Sequence, residues 1–147
     1  MVTVQRVCKL SSVPTNRQLE SWADLVLGTL AQDLELLIRI VDVFEITQLN
    51  TRYRNQKEAT NILAFEFESF GDFESNFLGD LVICGPLVKQ EALAQQKKVS
   101  AHWAHLVIHG TLHLLGYDHL RAEDTKKMQR LEVAFLKKIG IADPYIC

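Results

Sequence analysis

Cysteine is scarce and widely spaced in this chain: Cys8, Cys84 and Cys147 lie far apart and form no C-x-x-C pair. Neither a disulfide framework nor a thiolate zinc site is expected from them, and reduced thiols are. Long apolar runs are missing as well. The most apolar stretch, Leu34 to Phe44, already holds Glu35, Arg39 and Asp42, whereas a membrane span needs roughly 18–20 apolar residues in succession. Charge of one sign is not in excess: 16 basic against 18 acidic residues leave a net charge of −2. Such a balance excludes a protein that coats nucleic acid by bulk electrostatics, so any nucleic-acid contact must be local. The opening MVTVQRVCKL has no basic n-region followed by a long apolar segment and a small-residue cleavage site, so a cytoplasmic protein is expected.

With 147 residues, 48% of them hydrophobic and 23% charged, the chain is expected to form one domain over 1–147 that buries a core without staples. Val2, Val4 and Val7 suggest a first strand, and Ser11-Ser12-Val13-Pro14 a turn into a helix. From Asn16 to about Ala31, the residues Leu19, Trp22, Ala23, Val26, Leu27 and Leu30 recur at helical spacing and predict one buried stripe. Leu34 to Phe44 reads as a second strand, Ile46 to Arg54 as a short helix, and Ile62 to Phe67 and Leu78 to Cys84 as two more strands around an exposed loop at 71–76. Pro86 opens a helix reaching Lys98. Ser100 caps another over Ala101–Leu115 that Gly116 ends, and Arg121 to Ile139 makes the last. The pattern predicts an α+β fold: a small mixed sheet of about four strands covered by about five helices.

All five histidines fall between His102 and His119, a window of 18 residues out of 147, and this clustering needs a cause. The segment from His109 to His119 reads H-x3-H-x2-G-x2-H. Residues four apart share a helix face, so His109 and His113 can aim two imidazoles at one ion. Gly116 can take the left-handed conformation that ends the helix and brings His119 back as a third nitrogen donor. Three protein ligands leave a position open, the mark of a catalytic rather than a structural zinc site, and hydrolysis follows as the expected chemistry. The spacing is that of metzincin peptidases, except that Gly110 stands where their glutamate base would be. A metallopeptidase and a binding module with a structural metal remain the competing readings. His102 and His105 are assigned to packing or to supporting a ligand, and Asp118 either to orienting an imidazole or to capping a turn. Lys97-Lys98 and Arg121, Lys126, Lys127 and Arg130 are candidates for phosphate contact or for solvated helix faces.

Beyond the spacing, HGTLHLLGYDH from His109 to His119 resembles the YbeY family of bacterial single-strand-specific metallo-endoribonucleases. So do Leu49-Asn50-x-x-Tyr53-Arg54, Thr60-Asn61-Ile62-Leu63-x-Phe65, Leu78-Gly79-Asp80-Leu81-Val82-Ile83, Met128 with Glu132, and Gly140-x-x-Asp143-Pro144-Tyr145. The resemblance implies that His109, His113 and His119 hold one Zn2+ ion and that Arg54 is the functional arginine of the cleft. It implies single-stranded RNA, ribosomal RNA and the small ribosomal subunit as partners, in 16S 3′-end maturation and ribosome quality control. Neither DNA nor a membrane is an expected partner. The chain departs from the family at Asn55-Gln56-Lys57, where Gly and then Lys-Asp are usual, and at Ala64-Phe65-Glu66, where Ser-Phe-Pro is usual.

Overall fold

The computed structural model describes residues 1–7, 12–67, 75–118 and 120–146. Three of its strands and two of its helices alternate as β1 (Val2–Arg6), α1 (Asn16–Leu30), β2 (Glu35–Val41), α2 (Val43–Arg54) and β3 (Ile62–Glu66). β4 (Phe77–Cys84) then leads into three consecutive helices, α3 (Gly85–Ala94), α4 (Val99–Leu114) and α5 (Ala122–Lys138). The sheet order is β1-β2-β4-β3. β1 and β4 run parallel to β2, and β3 runs antiparallel to β4 at the edge. Among the described residues this is the expected α+β architecture, with a four-stranded mixed sheet and five helices.

Two apolar clusters hold the layers together. On one face Leu36, Ile38, Ile40, Leu81 and Ile83 pack against Leu19, Trp22, Val26 and Leu27 of α1 and against Trp103, Val107, Ile108 and Leu112 of α4. On the other face Val41, Leu63, Val82 and Cys84 meet Ile46 of α2. Each fully buried Leu, Ile or Val contributes about 1.5–3 kcal/mol, so the thicker α1/α4 side dominates the hydrophobic stabilisation.

Several boundaries differ from the sequence reading for identifiable reasons. The apolar run 34–44 is split, because Asp42 caps α2, its Oδ1 accepting the backbone N–H of Glu45 at 2.9 Å. Val43 and Phe44 therefore belong to the helix, which starts before Ile46. Arg39 on β2 donates to both Glu45 oxygens, at 2.8 and 3.0 Å, and pins the start of α2 to the sheet. The α1 stripe is as expected through Leu27, but Leu30 is 38% exposed, since the helix ends there. The cap of α1 is Thr15, in a reciprocal capping box with Gln18. α3 stops at Ala94 rather than Lys98, with Gln96 at φ 56°. Ser100 is not the cap of α4: Lys98 holds that position, and Ser100 lies in the first turn. Cys8 and Ser11, residues 71–74 of the expected exposed loop, and Cys147 lie outside the described residues.

Gly79 in β4 sits opposite Glu66 with φ 155°. A Cβ there would run into the backbone oxygen of Phe65. Gly79→Ala is expected to lower stability by about 2 kcal/mol or more through strain and displacement of β3. Urea unfolding checks this, and an unchanged midpoint would contradict the packing.

A candidate active-site cleft on the histidine seam of α4

α4 is buried on nearly every side. Between Ala101 and Leu114 the residues that keep some exposure are Ala101, His105, His109 and His113. Their spacing of four draws one seam along the helix, so the single strip of α4 that the core does not cover is a row of three imidazoles.

Glu132 of α5 reaches under that seam. It is 0% exposed, and its Oε1 lies 2.7 Å from His109 Nδ1 and 3.2 Å from His105 Nε2. Its Oε2 accepts the Tyr145 hydroxyl at 2.6 Å, and Tyr145 Oη also lies 3.2 Å from His105 Nε2. Burial pushes the carboxyl up, but the hydrogen bonds from His105, His109 and Tyr145 outweigh it and hold Glu132 at about 2. An ionised carboxylate only accepts, so His109 donates a proton on Nδ1 to Glu132. Burial, and then the bond to Glu132, raise the Tyr145 phenol above its ordinary value.

Arg54 is the last residue of α2, which ends on Asn55 in the left-handed conformation at φ 57°. Asn tolerates that conformation better than other side-chain-bearing residues, which makes it the mildest replacement for the family's glycine. The Arg54 guanidinium lies 5.0 Å from the centre of the Phe65 ring, and its Nη2 donates to the Ala64 carbonyl at 2.8 Å. That carbonyl is available because β3 is an edge strand. Phe67 N–H bonds Leu78 O and Cys84 N–H bonds Asn61 O, so the odd-numbered residues pair with β4 and Ala64 points away from it.

Arg54, Ala64, His109 and His113 line one cavity of about 190 Å³ together with Ile62, Leu63 and Gly110. Two of the three expected ligands and the expected arginine thus meet at one opening, while His119 lies outside the described residues. Among the described residues no three potential metal ligands gather. Gly116, at φ 101°, ends the helix turn as its sequence position suggested. Gly110 presses against the sheet: a Cβ there would come within 2.8 Å of Ile62 Cδ1 and Leu81 Cδ2. A glutamate base at that position would displace the sheet contacts. Ala64 leaves an apolar wall where the family's serine would put a hydroxyl, and exposed Glu66 does not line the cavity. Asp118 Oδ1 faces Leu120 N–H at 3.4 Å, the turn-capping alternative. His102 is buried and bonds Glu91 at 3.0 Å, away from the cavity.

Glu132 and Tyr145 carried no role in the sequence reading beyond their match to the family. A signal for Glu132 was present: it falls on the buried stripe of α5, four residues after Met128 and three and four before Phe135 and Leu136, where an acidic residue needs a partner.

Fold and cleft together define an α+β protein with a solvent-open cleft lined by His109, His113 and Arg54. The sequence matches the family described as endoribonuclease YbeY over residues 5–140. It is 43% identical over 150 residues to "Endoribonuclease YbeY" of Colwellia psychrerythraea strain 34H, covering 99% of this chain and 97% of that one. A solution structure from Thermotoga maritima superposes over 100% of both chains with a TM-score of 0.67 at 21% identity, a likeness of fold. The chain belongs to the YbeY endoribonuclease family.

Replacing Glu132 by Gln keeps the shape but removes the charge that three donors share. Glu132→Gln is expected to cost about 1–3 kcal/mol in urea unfolding. A variant as stable as the parent would show that the carboxylate is not the hub of these contacts.

Proposed function

We propose that the chain is a single-strand-specific, metal-dependent endoribonuclease in which His109, His113 and His119 hold one Zn2+ ion and Arg54 binds the scissile phosphate. The observation that carries this reading is the meeting of Arg54, His109 and His113 at one cavity, with His109 braced by the buried Glu132 carboxylate. The donor set suits zinc: neutral imidazoles on successive turns, one donating its other nitrogen to a carboxylate, which fixes the ring and raises its basicity. When bound, the ion supplies Lewis-acid polarisation of water and of the phosphoryl group.

The chain's own residues do the rest. Arg54 stays charged at any working pH, and a guanidinium carries five N–H donors. Anchoring one side to Ala64 O and laying the group over Phe65 fixes its plane, so its remaining donors serve a phosphate in a preset orientation and counter the charge that builds on the phosphoryl oxygens. Glu132 keeps His109 in the Nδ1–H tautomer, and Tyr145 and His105 keep Glu132 ionised. Ile62 and Leu63 add apolar side chains to the lining of the cavity. A peptidase fits less well, since position 110 is packed against the sheet and supplies no carboxylate base. Ribosomal RNA of the small subunit, its 3′-end maturation, ribosome quality control and a cytoplasmic location complete the reading. They are supported by family membership; no helix among the described residues is long and apolar enough to cross a membrane.

With single-stranded RNA and zinc-loaded protein, Arg54→Ala and His113→Ala are each expected to lower cleavage by about 10²-fold or more; undiminished cleavage by both would remove the mechanism. The core clusters lie beneath the seam and need no ion, so chelation is expected to abolish cleavage while the far-UV circular dichroism spectrum persists. Unfolding on chelation would instead make the metal structural.

A further inference from the structure

Lys126, Gln129, Arg130 and Val133 recur on α5 at i, i+3, i+4 and i+7 and share one side of the helix. That side lines a groove of about 520 Å³ together with Asp143 and Tyr145 of the C-terminal turn. Among the described residues, neither Lys126 nor Arg130 has a carboxylate oxygen within 4.0 Å. The one carboxylate in the groove, Asp143, is engaged through Oδ1 by the backbone N–H of Tyr145 at 2.8 Å. Both cations are exposed, so the groove presents two positive charges on a helical pitch. Their Cβ atoms are about 5–6 Å apart, which suits neighbouring phosphates of an extended strand.

Tyr145 joins this groove to the cleft. The residue is 43% exposed, yet its hydroxyl is tied to Glu132 at 2.6 Å, and Glu132 holds His109 at 2.7 Å. An exposed aromatic ring anchored at one end is a stacking platform for an unpaired base. The geometry points to a second RNA subsite here: a single strand held at the His109/His113 cavity continues past Tyr145, stacks a base on its ring, and sets its next phosphates against Arg130 and Lys126. This inference rests on the ribonuclease reading, deepens it by naming which side of the cleft the strand follows, and makes affinity depend on strand length.

The test compares fluorescein-labelled 2′-O-methyl RNAs of about four and about fifteen nucleotides, the range of single-strand site sizes. Binding is read by fluorescence anisotropy with the wild-type protein and with Lys126→Ala/Arg130→Ala. Thermal unfolding confirms that the variant is folded. The longer RNA is expected to bind the variant about tenfold more weakly, with its salt slope reduced by about 1.4 for two lost phosphate contacts. The shorter RNA is expected to bind both proteins within about twofold. Equal affinity of the two proteins for the longer RNA overturns the subsite, and so does a loss that is the same for both lengths. Cleavage of unmodified RNA is measured in parallel. A wild-type protein that binds by length but cleaves nothing sinks the ribonuclease reading and leaves the groove standing. Cleavage with no length-dependent loss in the variant does the reverse.

Discussion

One buried carboxylate ties the functional parts of this molecule together. Glu132 has no exposure, and a charge in such a place is costly unless donors surround it. His105 and His109 from α4 and Tyr145 from the C-terminal turn supply them. The same bonds that make the charge tolerable fix the proton on one nitrogen of His109, dock α5 against α4, and hold the chain's last turn. Stability and chemistry are therefore coupled at one side chain.

The rest of the architecture delivers α4 to that carboxylate. Two apolar clusters sandwich the sheet, and α4 takes the deeper position, covered by α1, the sheet and α5 so that a row of imidazoles is what remains uncovered. The edge strand β3 lies beside this seam, and because it has a neighbour on one side alone its Ala64 carbonyl turns outward to receive Arg54. Asp42 and the Arg39–Glu45 pair set where α2 begins, and the left-handed Asn55 sets where it ends. The position of the arginine is thus fixed from both ends of its helix.

Much of the fold was legible in the sequence because it rests on periodicity: the α1 stripe, the β-branched strands and the HxxxH spacing each report a single face of a single element. What escaped came from competition between elements. The run 34–44 is mostly apolar and reads as one strand, but Asp42 within it caps a helix, and no hydropathy pattern shows that choice. Ser100 is a good capping residue, yet the helix starts two residues earlier, with Lys98 at the cap. In the site, His109 and His113 announce themselves by spacing, and Arg54 by family resemblance alone. Glu132 was concealed because its meaning lies in a contact 23 residues away in the chain; its place on an otherwise apolar stripe was the one local trace.

The most direct measurement is the tautomeric state of His109 by two-bond nitrogen–proton correlation NMR on the labelled protein. The account requires the proton on Nδ1, with Nε2 showing the chemical shift of a lone-pair or metal-bearing nitrogen. A His109 ring with its proton on Nε2 would mean that the carboxylate beneath the seam does not set the histidine, and would contradict the account at its base.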